Sequence, residues 1–542
     1  MIISVTANHK HIDELQSIAQ IFYPHARFVG ENKPTDDLQC DCEITSIIED
    51  ERIVSTYNRT ASHSINLNDY PAYLNQKRLA MLCLYHLLQD TTGAYTPWGA
   101  LTGVRPTKMV REWMADGQTD KQCMDALQDI FKVQPSRAKL AIDVAHNENR
   151  LAAKIINPSV TLSANAHSAT SPPVIPCLTR DPITLASNVA IYISIPFCPS
   201  RCIYCSFNTA HKPWDARQQT QYVQALISEC QEISQEIQHT GARVSSIYIG
   251  GGTPSALTDG LLENLLEALD VNNIIPPPPS VPRSSPSVIP CLTRDPTTLV
   301  EDNGIAGQAR NDENIQVRPK TIEFTLEAGR PDTITRQNLR IMRNHGVNRI
   351  SINPQTFNDQ TLKAIGRNHT SRDIFNAFAL AREEGFTTIN ADIIAGLPGE
   401  TEADMYHTME TLANLAPENI TIHTLAVKRA SKLNQNRTQQ TYTPPSTDTI
   451  KSQLKIAHDA CKNLGHLPYY LYRQKNMAAL FENTGYSLPG HECLYNIGMM
   501  SEVQTVYGIG AGAVTKYVQG TKITRKFNVK NPEIYIERRS NP

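Results

Sequence analysis

Three cysteines in the segment IYISIPFCPSRCIYCSFNT have the spacing C-x3-C-x2-C: Cys198, Cys202 and Cys205. Three thiolates on one short loop can bind three irons of a cubane iron–sulfur cluster and leave the fourth iron open. An open iron can bind the amino and carboxylate groups of a small molecule. The spacing therefore predicts a [4Fe–4S] centre that acts on a bound ligand.

Two other interpretations of these cysteines are a zinc site and three unrelated thiols. Structural zinc normally takes four nitrogen or sulfur ligands, commonly from paired C-x2-C units. The loop contains no fourth cysteine or histidine, and the nearest histidine is His211, six residues beyond Cys205. We therefore favour the cluster.

Polar residues and glycines recur near the ends of apolar, strand-like runs further along the chain. The turn Gly250–Pro254 (GGGTP) follows one run, and its glycines let the backbone approach a ligand closely. Glu327 ends another run, where its carboxylate can accept bonds from an ammonium group. Arg367 can bind a carboxylate through paired donors. Asp392 lies among apolar residues, where a lone charge needs a partner. Each of these alone can be a tight turn, a structural cap or an ion-pair member, but their shared location favours one site.

The elements that must position these residues alternate between strands and helices. Strands are predicted at 189–195, 245–250, 321–328, 348–353, 388–394 and 419–425. Helices are predicted near 215–239, 259–271, 334–345, 371–385 and 402–415. Six β-then-α units indicate a parallel sheet curled into a partial TIM-type barrel, in which functional residues gather at the C-terminal ends of the strands.

Four further segments accompany the cysteine loop: WGALTGVRPTK (98–108), YYLYRQKNMA (469–478), PGHECLYNI (489–497) and GIGAGAVTKYV (508–518). Together they resemble the radical SAM (S-adenosylmethionine) superfamily, in particular its oxygen-independent coproporphyrinogen III oxidase/dehydrogenase family and the HemZ-type branch. The resemblance implies an α/β fold: a partial (β/α)6 TIM-type barrel with an N-terminal α+β accessory domain and a C-terminal extension. It also implies a [4Fe–4S] cluster and SAM as cofactors.

The resemblance carries over the three loop cysteines as metal ligands. The SAM contacts that it implies are Tyr192, Tyr204, Gly251, Gly252, Thr253, Glu327, Gln355, Arg367, Asp392 and Ala426.

The same resemblance implies a reaction. A 5′-deoxyadenosyl radical made from SAM removes hydrogen from a propionate side chain, and loss of carbon dioxide and one electron leaves a vinyl group. Two such steps convert coproporphyrinogen III, a tetrapyrrole, to protoporphyrinogen IX, with an electron donor such as flavodoxin or ferredoxin. Dehydrogenase members continue the motif as C-x3-C-x2-C-x-C, whereas Phe207 stands at the last position here. A haem-binding chaperone, whose relatives end in C-x-F, and a radical SAM enzyme with another substrate therefore stay open.

The predicted division of the chain places the accessory domain at 1–157, the barrel at 187–428 and a C-terminal substrate-cavity domain at 429–542. Two nearly identical fifteen-residue segments, SPPVIPCLTRDPITL and SPSVIPCLTRDPTTL, lie in Pro/Ser-rich stretches. We interpret 158–186 and 274–317 as inserted, disordered loops, because lengthening a surface loop costs little free energy.

Composition limits the partners. The 542 residues carry a net charge of −2, with 40% hydrophobic and 19% charged residues, which is typical of a globular protein. This balance gives no electrostatic preference for nucleic acid or anionic membranes, and no apolar stretch is long enough to span a bilayer. The start shows no secretory pattern, so a cytoplasmic location is expected, where twelve cysteines favour metal or catalytic use over disulfides. The sequence defines no oligomeric state.

Glycines at 508, 510 and 512 in GIGAGAVT invite comparison with a dinucleotide-binding loop. That fingerprint has the spacing G-x-G-x-x-G between a strand and a helix, whereas the spacing here is G-x-G-x-G. Close packing or a turn at the substrate cavity is the preferred interpretation.

Overall fold

The structure is a computed structural model, and only the residues that it describes are discussed below. These are residues 1–24, 26–29, 40–71, 74–94, 96–103, 105–157, 188–205, 214–271, 274, 322–427, 431, 433, 435, 445–474, 480–520 and 522–540. The predicted inserts 158–186 and 274–317 lie outside the described residues apart from Ile274, and Phe207 lies outside them too.

The N-terminal region is a five-stranded mixed sheet packed with helices, in strand order β2-β1-β3-β4-β5. The strands are β1 Ile2–Ala7, β2 Arg27–Val29, β3 Cys42–Glu49, β4 Arg52–Tyr57 and β5 Ala61–Asn66. The helices are α1 Ile12–Phe22, α2 Gln76–Thr92, α3 Pro106–Ala115, α4 Asp120–Asp125 and α5 Pro135–Ile156, with a π-helical turn at Ala126–Ile130. Their buried side chains form a hydrophobic core that Leu471 of the C-terminal region also joins.

Six parallel strands, hydrogen-bonded in chain order, form the partial barrel, which confirms the predicted fold class. They are β6 Asn188–Ile195, β7 Arg243–Gly251, β8 Glu323–Glu327, β9 Arg349–Ser351, β10 Ile389–Ala395 and β11 Asn419–Thr424. The helices are α6 Ala216–Thr240, α7 Asp259–Val271, α8 Arg336–Asn344, α9 Asp359–Ala364, α10 Ser371–Glu383 and α11 Glu402–Leu415. The short helix α9 was absent from the sequence prediction; the other five lie where the pattern placed them.

Alternate residues of the barrel strands differ in chemistry. Those that pack against the helices are apolar, for example Ile191, Ile193, Ile247, Ile249, Phe324, Leu326, Ile420 and Ile422. Those on the opposite face line an internal cavity of about 200 Å³, here called the chamber; from the barrel strands they include Tyr248, Thr325, Glu327, Ser351, Asn390, Asp392, Thr421 and His423. Because successive side chains of a strand point to opposite faces, one sequence pattern builds both the hydrophobic shell and the polar interior.

C-terminal strands extend the barrel sheet at both edges to eleven strands. The order is β12-β13-β11-β10-β9-β8-β7-β6-β14-β15-β16. The strands are β12 Leu467–Tyr472, β13 Asn483–Ser487, β14 Thr505–Ile509, β15 Val514–Gln519 and β16 Lys522–Phe527. The helices are α12 Thr447–Asn463, α13 Leu494–Ser501 and α14 Pro532–Ser540.

Helix α13 lies against the N-terminal end of the barrel, here called the floor. The backbone N–H groups of Leu494 and Tyr495 donate to the two carboxylate oxygens of Glu323, at 2.7 and 2.9 Å. Asn496 and Met500 of the same helix line the chamber. The opposite end of the barrel, where the strands finish, is called the mouth.

The glycine run joins two antiparallel strands, β14 and β15, so it lacks the strand–turn–helix context of a dinucleotide loop. A Cβ on Gly508 would lie 2.6 Å from the Val514 carbonyl carbon, and one on Gly510 would lie 2.7 Å from the Ser194 oxygen. The glycines therefore permit close backbone packing against β6 and β15. Among the described helices, none combines the length and hydrophobicity needed to cross a lipid bilayer.

Candidate active site

The cysteine loop leaves β6 at the mouth and is tied to the glycine turn after β7. The N–H of Gly252 donates to the Ile195 oxygen at 2.7 Å, and the N–H of Thr253 donates to the Phe197 oxygen at 2.6 Å. Phe197 also packs against Trp214, with ring centroids 4.9 Å apart. These contacts fix the start of the loop before its first cysteine.

Two glycines of this turn are required by geometry. Gly251 has a φ of +107°, which favours glycine. A Cβ on Gly252 would lie 2.4 Å from the Phe197 oxygen, far inside van der Waals contact. The turn and the cysteine loop therefore pack backbone against backbone.

Each of the three thiols has its own surroundings. Cys198 Sγ lies 3.4 Å from the Thr253 hydroxyl, and burial raises the pKa of that thiol. Cys202 is 7% exposed, and its sulfur accepts a hydrogen bond from Arg330 Nη2 at 3.1 Å. The N–H of Cys205 donates to the Cys202 oxygen at 3.1 Å, which closes a tight turn between them.

The spacing of the thiols suits a cluster better than a single ion. Within the described part of the chain, the one group of three or more His, Cys, Asp or Glu ligand atoms within 4.8 Å of one another is Glu263, Glu267 and His345. At least two of the three cysteine sulfurs therefore lie more than 4.8 Å apart, further than two ligands of one tetrahedral zinc, whose Zn–S bonds are about 2.3 Å. The structure favours the cubane over the zinc alternative.

Two buried guanidinium groups face this loop. Arg330 is 3% and Arg367 is 8% exposed. Arg367 Nη1 donates to the Gly329 and Asn353 oxygens at 3.1 and 2.7 Å, and its Nε has no acceptor among the described residues. Burial alone would lower the pKa of Arg367, but Tyr204 and Cys202 raise it above its ordinary value.

The printed acceptors of both guanidinium groups are hydroxyl, carbonyl and thiol groups, and within the described ranges neither has a carboxylate within 4.0 Å. Buried charges are normally paired. A cluster bound through three thiolates and a ligand carboxylate are anions that would pair them.

Glu327 ends β8 at the mouth. Its Oε1 accepts the Tyr248 hydroxyl at 2.6 Å, and its Oε2 accepts the Gly251 N–H at 3.3 Å. Removal from water raises the pKa of Glu327 to about 7, and the nearby Asp392 carboxylate contributes. The carboxyl group is therefore held between the glycine turn and the chamber.

Asp392 lies in β10, and Gln355 follows the neighbouring strand, β9. Its Oδ1 accepts Asn390 Nδ2 at 2.8 Å, and its Oδ2 lies 3.5 Å from His423 Nε2. Burial alone would raise the pKa of Asp392, but contacts with His423 and Asn390 lower it. Gln355 has a φ of +71°, and its backbone N–H donates to the backbone carbonyl oxygen of Asp392 at 2.9 Å. Backbone pairing thus brings both residues to one place.

The remaining predicted SAM contacts are Tyr192, Tyr204 and Ala426. The Tyr192 ring lies 6.3 Å from the Tyr248 ring and 6.1 Å from the Tyr495 ring. Burial raises the pKa of Tyr204, which lies beside Arg367 and Cys202. Ala426 follows the end of β11. The assignment of these residues to SAM stays a prediction.

Sequence reasoning missed Tyr248, His423 and Arg330. Tyr248 and His423 occupy inward positions of β7 and β11, two residues from other inward polar positions, so strict alternation could have found them. Arg330 lies after β8 in an irregular segment that no periodicity marks. The tyrosines of YYLYRQKNM line the chamber: Tyr469, Tyr470 and Tyr472.

Arg473 of the same segment is buried. It donates to the Leu101 oxygen and, at 3.1 Å, to the Leu480 oxygen. Its charge therefore helps to hold the N-terminal region against the C-terminal strands.

Comparison with known proteins decides the family. Residues 192–412 match the Radical SAM superfamily. The chain is 33% identical to the oxygen-independent coproporphyrinogen-III oxidase-like protein HemZ of Bacillus subtilis (strain 168), over 97% of this chain and 92% of that protein. The chain belongs to this HemZ-type family of radical SAM proteins. Like other radical SAM proteins, it uses a [4Fe–4S] cluster and SAM.

Other relatives match a smaller part of the chain at lower identity. The heme chaperone HemW of Bacillus subtilis (strain 168) is 29% identical over 64% of this radical SAM chain and 74% of its own length. Among solved structures, coproporphyrinogen III oxidase (HemN) from Escherichia coli is 21% identical with a TM-score of 0.45, over 65% of this chain and 69% of that one.

The residues present fit both cofactors of the family. Three thiols on a fixed loop suit the cluster, and two buried guanidinium groups without carboxylate partners in the described part of the chain suit its negative charge. Glu327 offers a carboxylate for an ammonium group, and Arg367 Nε, which has no partner among the residues that the structure describes, offers a donor for a carboxylate. These are the two polar ends of the methionine part of SAM.

Proposed function

We propose that this protein carries out the oxygen-independent oxidative decarboxylation of two coproporphyrinogen III propionates to vinyl groups, which gives protoporphyrinogen IX for haem biosynthesis. The observation that carries the proposal is the near full-length likeness to HemZ, which is named coproporphyrinogen-III oxidase-like. The reaction would take place in the cytoplasm, with flavodoxin or ferredoxin as electron donor.

The mouth of the barrel supplies the groups that the reaction needs. When bound, the cluster and SAM supply a 5′-deoxyadenosyl radical. Cys198, Cys202 and Cys205 hold the cluster. Glu327 accepts bonds from the SAM ammonium group, and Arg367 donates to its carboxylate.

The chamber beneath Glu327 supports a polar, carboxylate-bearing substrate arm. Three tyrosines, Tyr248, Tyr470 and Tyr472, line its walls. Tyr472 is a neutral phenol at physiological pH, and burial raises its pKa further. Neutral phenols can bond a carboxylate and, by excluding water, protect a radical from side reactions.

An anaerobic turnover assay tests this proposal. Reconstituted protein would be supplied with coproporphyrinogen III, SAM and a chemical reductant, and products would be separated after oxidation to porphyrins. The expected result is a product with vinyl groups, formed together with 5′-deoxyadenosine. Cleavage of SAM without decarboxylation would contradict the proposed substrate and leave the radical SAM assignment intact.

A second candidate function is haem binding and delivery. It is favoured by the similarity to HemW and by Phe207, which ends the cysteine motif as C-x-F. This reading predicts stoichiometric haem binding and transfer to an acceptor protein. A haem titration without an absorbance shift would remove it.

A further inference from the structure

Arg330 joins the end of β8 to the cysteine loop. Its Nη2 donates to the Ser200 oxygen at 2.7 Å and to the Cys202 sulfur at 3.1 Å. Its Nη1 donates to the Ser200 hydroxyl at 2.8 Å. One guanidinium therefore holds a backbone oxygen, a side-chain hydroxyl and a thiol of the same loop.

The segment that carries Arg330 is itself fixed. The Arg330 oxygen accepts the N–H of Thr333 at 3.0 Å and its hydroxyl at 2.9 Å. The Thr333 hydroxyl lies 2.6 Å from that of Ser255, directly after the glycine turn. Asn338 of α8 donates to the Thr333 oxygen at 2.8 Å. Arg330 thus approaches the loop from a rigid base that is shared with the glycine turn.

The loop is held from a second side as well. The Ser200 hydroxyl donates to the Gly366 oxygen at 3.2 Å, and the N–H of Ile203 donates to the Ile365 oxygen at 3.0 Å. Ser200 therefore receives Arg330 on one side and contacts the turn after α9 on the other. These contacts hold the middle cysteine from two sides.

The charge of Arg330 has a separate consequence. The reduction potential of an iron–sulfur cluster depends on nearby charge, hydrogen bonds to its sulfurs and exposure to solvent. A cation beside a sulfur ligand favours the reduced cluster, which carries one more negative charge. The nearby His369 adds no charge at neutral pH, because burial and the two arginines lower its pKa to about 4. Arg330 donates to this sulfur, and Arg367 lies beside it.

We propose that Arg330 is a positioning residue that presets the Cys202 thiol for cluster binding and raises the reduction potential of the bound cluster. The proposal concerns the cofactor site alone and holds for any substrate. The three bonds of Arg330 to Ser200 and Cys202 carry it. A lysine would keep the charge but could not make the same set of bonds, because only arginine presents its donors in a rigid fork.

Three variants separate geometry from charge. Arg330→Gln removes both, Arg330→Lys keeps the charge, and Ser200→Ala removes one acceptor while Arg330 remains. Arg340→Gln is the matched control, because Arg340 is 54% exposed and pairs with Glu384 on the surface. Iron content would be measured after anaerobic reconstitution, and the midpoint potential by redox titration followed by electron paramagnetic resonance.

The potential tests the charge. We expect Arg330→Gln to shift the midpoint potential to a more negative value, Arg330→Lys to stay near the native value, and the control to match the native protein. We also expect Arg330→Gln and Arg330→Lys to retain less iron, since both lose the fork. A native potential in Arg330→Gln with its cluster retained would overturn the electrostatic part.

Thiol labelling of the cluster-free protein tests the geometry without any activity. Alkylation of Cys202 and Cys198 would be followed by mass spectrometry. We expect Cys202 to react severalfold faster in Arg330→Gln and Ser200→Ala, with little change at Cys198. If Arg330→Gln does not fold, Arg330→Lys and Ser200→Ala decide: native labelling rates at Cys202 in both would overturn the positioning role.

Discussion

The two ends of the barrel use buried charges in opposite ways. At the floor, Glu323 accepts two backbone N–H groups of α13, and Arg349 donates to the His491 oxygen and the Asn419 side chain. At the mouth, Arg330 and Arg367 contact neutral groups or thiols, and Glu327 has a pKa raised to about 7. Floor charges therefore bond the C-terminal region to the barrel, whereas mouth charges lie where the cluster and SAM would bind.

Removing the cluster ligands should have the largest effect at the mouth. Cys198→Ala, Cys202→Ala and Cys205→Ala should each lose the cluster, from about four irons per chain to nearly none, because a cubane needs all three thiolates. Cys42→Ala, at a half-buried thiol of β3, is the control and should keep its iron. Iron analysis and absorbance spectra measure the result, and unchanged iron in all three variants would falsify the cluster assignment.

The next largest effect is expected at the glycine turn. Gly252→Ala places a Cβ 2.4 Å from the Phe197 oxygen, so the cysteine loop must move and SAM binding should fall by more than tenfold. Gly260→Ala is the control, because the added Cβ meets nothing within 4 Å. Replacing this glycine of α7 should raise the free energy of unfolding by about 0.5–1 kcal/mol. Equilibrium binding of SAM to the reconstituted variants checks this, and equal affinities would contradict the close packing.

A direct test of mouth against floor compares two glutamates. Glu323→Ala should cost about 2–3 kcal/mol of stability, since two backbone N–H groups lose their acceptor. Glu327→Gln should cost little and, at pH 8, should stabilise the cluster-free protein. The buried carboxyl has a raised pKa, so its ionisation removes stability as the pH rises from about 4.5 through 7. Denaturant unfolding measures both, and equal losses would remove the distinction between the two ends.

The pH dependence of SAM binding sharpens the role assigned to Glu327. Its pKa is raised to about 7, so only the ionised fraction can pair with an ammonium group. SAM affinity should therefore fall about tenfold between pH 8 and pH 6, which is the loss of ionised carboxylate over that range. The Glu327→Gln variant should bind weakly with a flat profile. If SAM binding to the native protein were also independent of pH, a group other than Glu327 would have to bind the SAM ammonium.

The smallest expected effect is at Tyr248. Its hydroxyl donates to Glu327 and thereby lowers the pKa of that carboxyl relative to burial alone. Tyr248→Phe should weaken SAM binding by about 1 kcal/mol or less and move the midpoint of the pH profile upward. Tyr472→Phe is a matched change elsewhere in the chamber and should leave the midpoint in place. A downward shift in Tyr248→Phe would show that the phenol does not support the ionised carboxylate.

The barrel and its cysteine loop could be predicted because each strand is a short apolar run that precedes a helix. A cysteine, glycine or charged residue near the end of several of these runs marked the mouth. The residues that face the chamber were harder to find. Tyr248 and His423 look like ordinary members of their strands until pairing shows which face is inside. Arg330 could not be predicted as a contact of Cys202, because 128 positions separate them and only β-sheet pairing brings them together.

Helix α3 and the C-terminal strands show two other limits of the pattern. α3 begins at Pro106, within a stretch rich in turn residues, and proline is well suited to the first turn of a helix. The strands β12 to β16 are short. They are placed at the edges of the sheet because β13 pairs with β11 and β14 pairs with β6, which is far away in the chain. Local sequence carries no information about those pairings.

The pairing of β14 with β6 gives the chain an order of assembly. Ser194, at the end of β6, donates to the Ala511 oxygen across 317 positions. Because synthesis proceeds from the N-terminus, this edge of β6 stays unpaired until β14 has been made. The strand that leads into the cysteine loop therefore gains its second neighbour only after the other five barrel strands have been made.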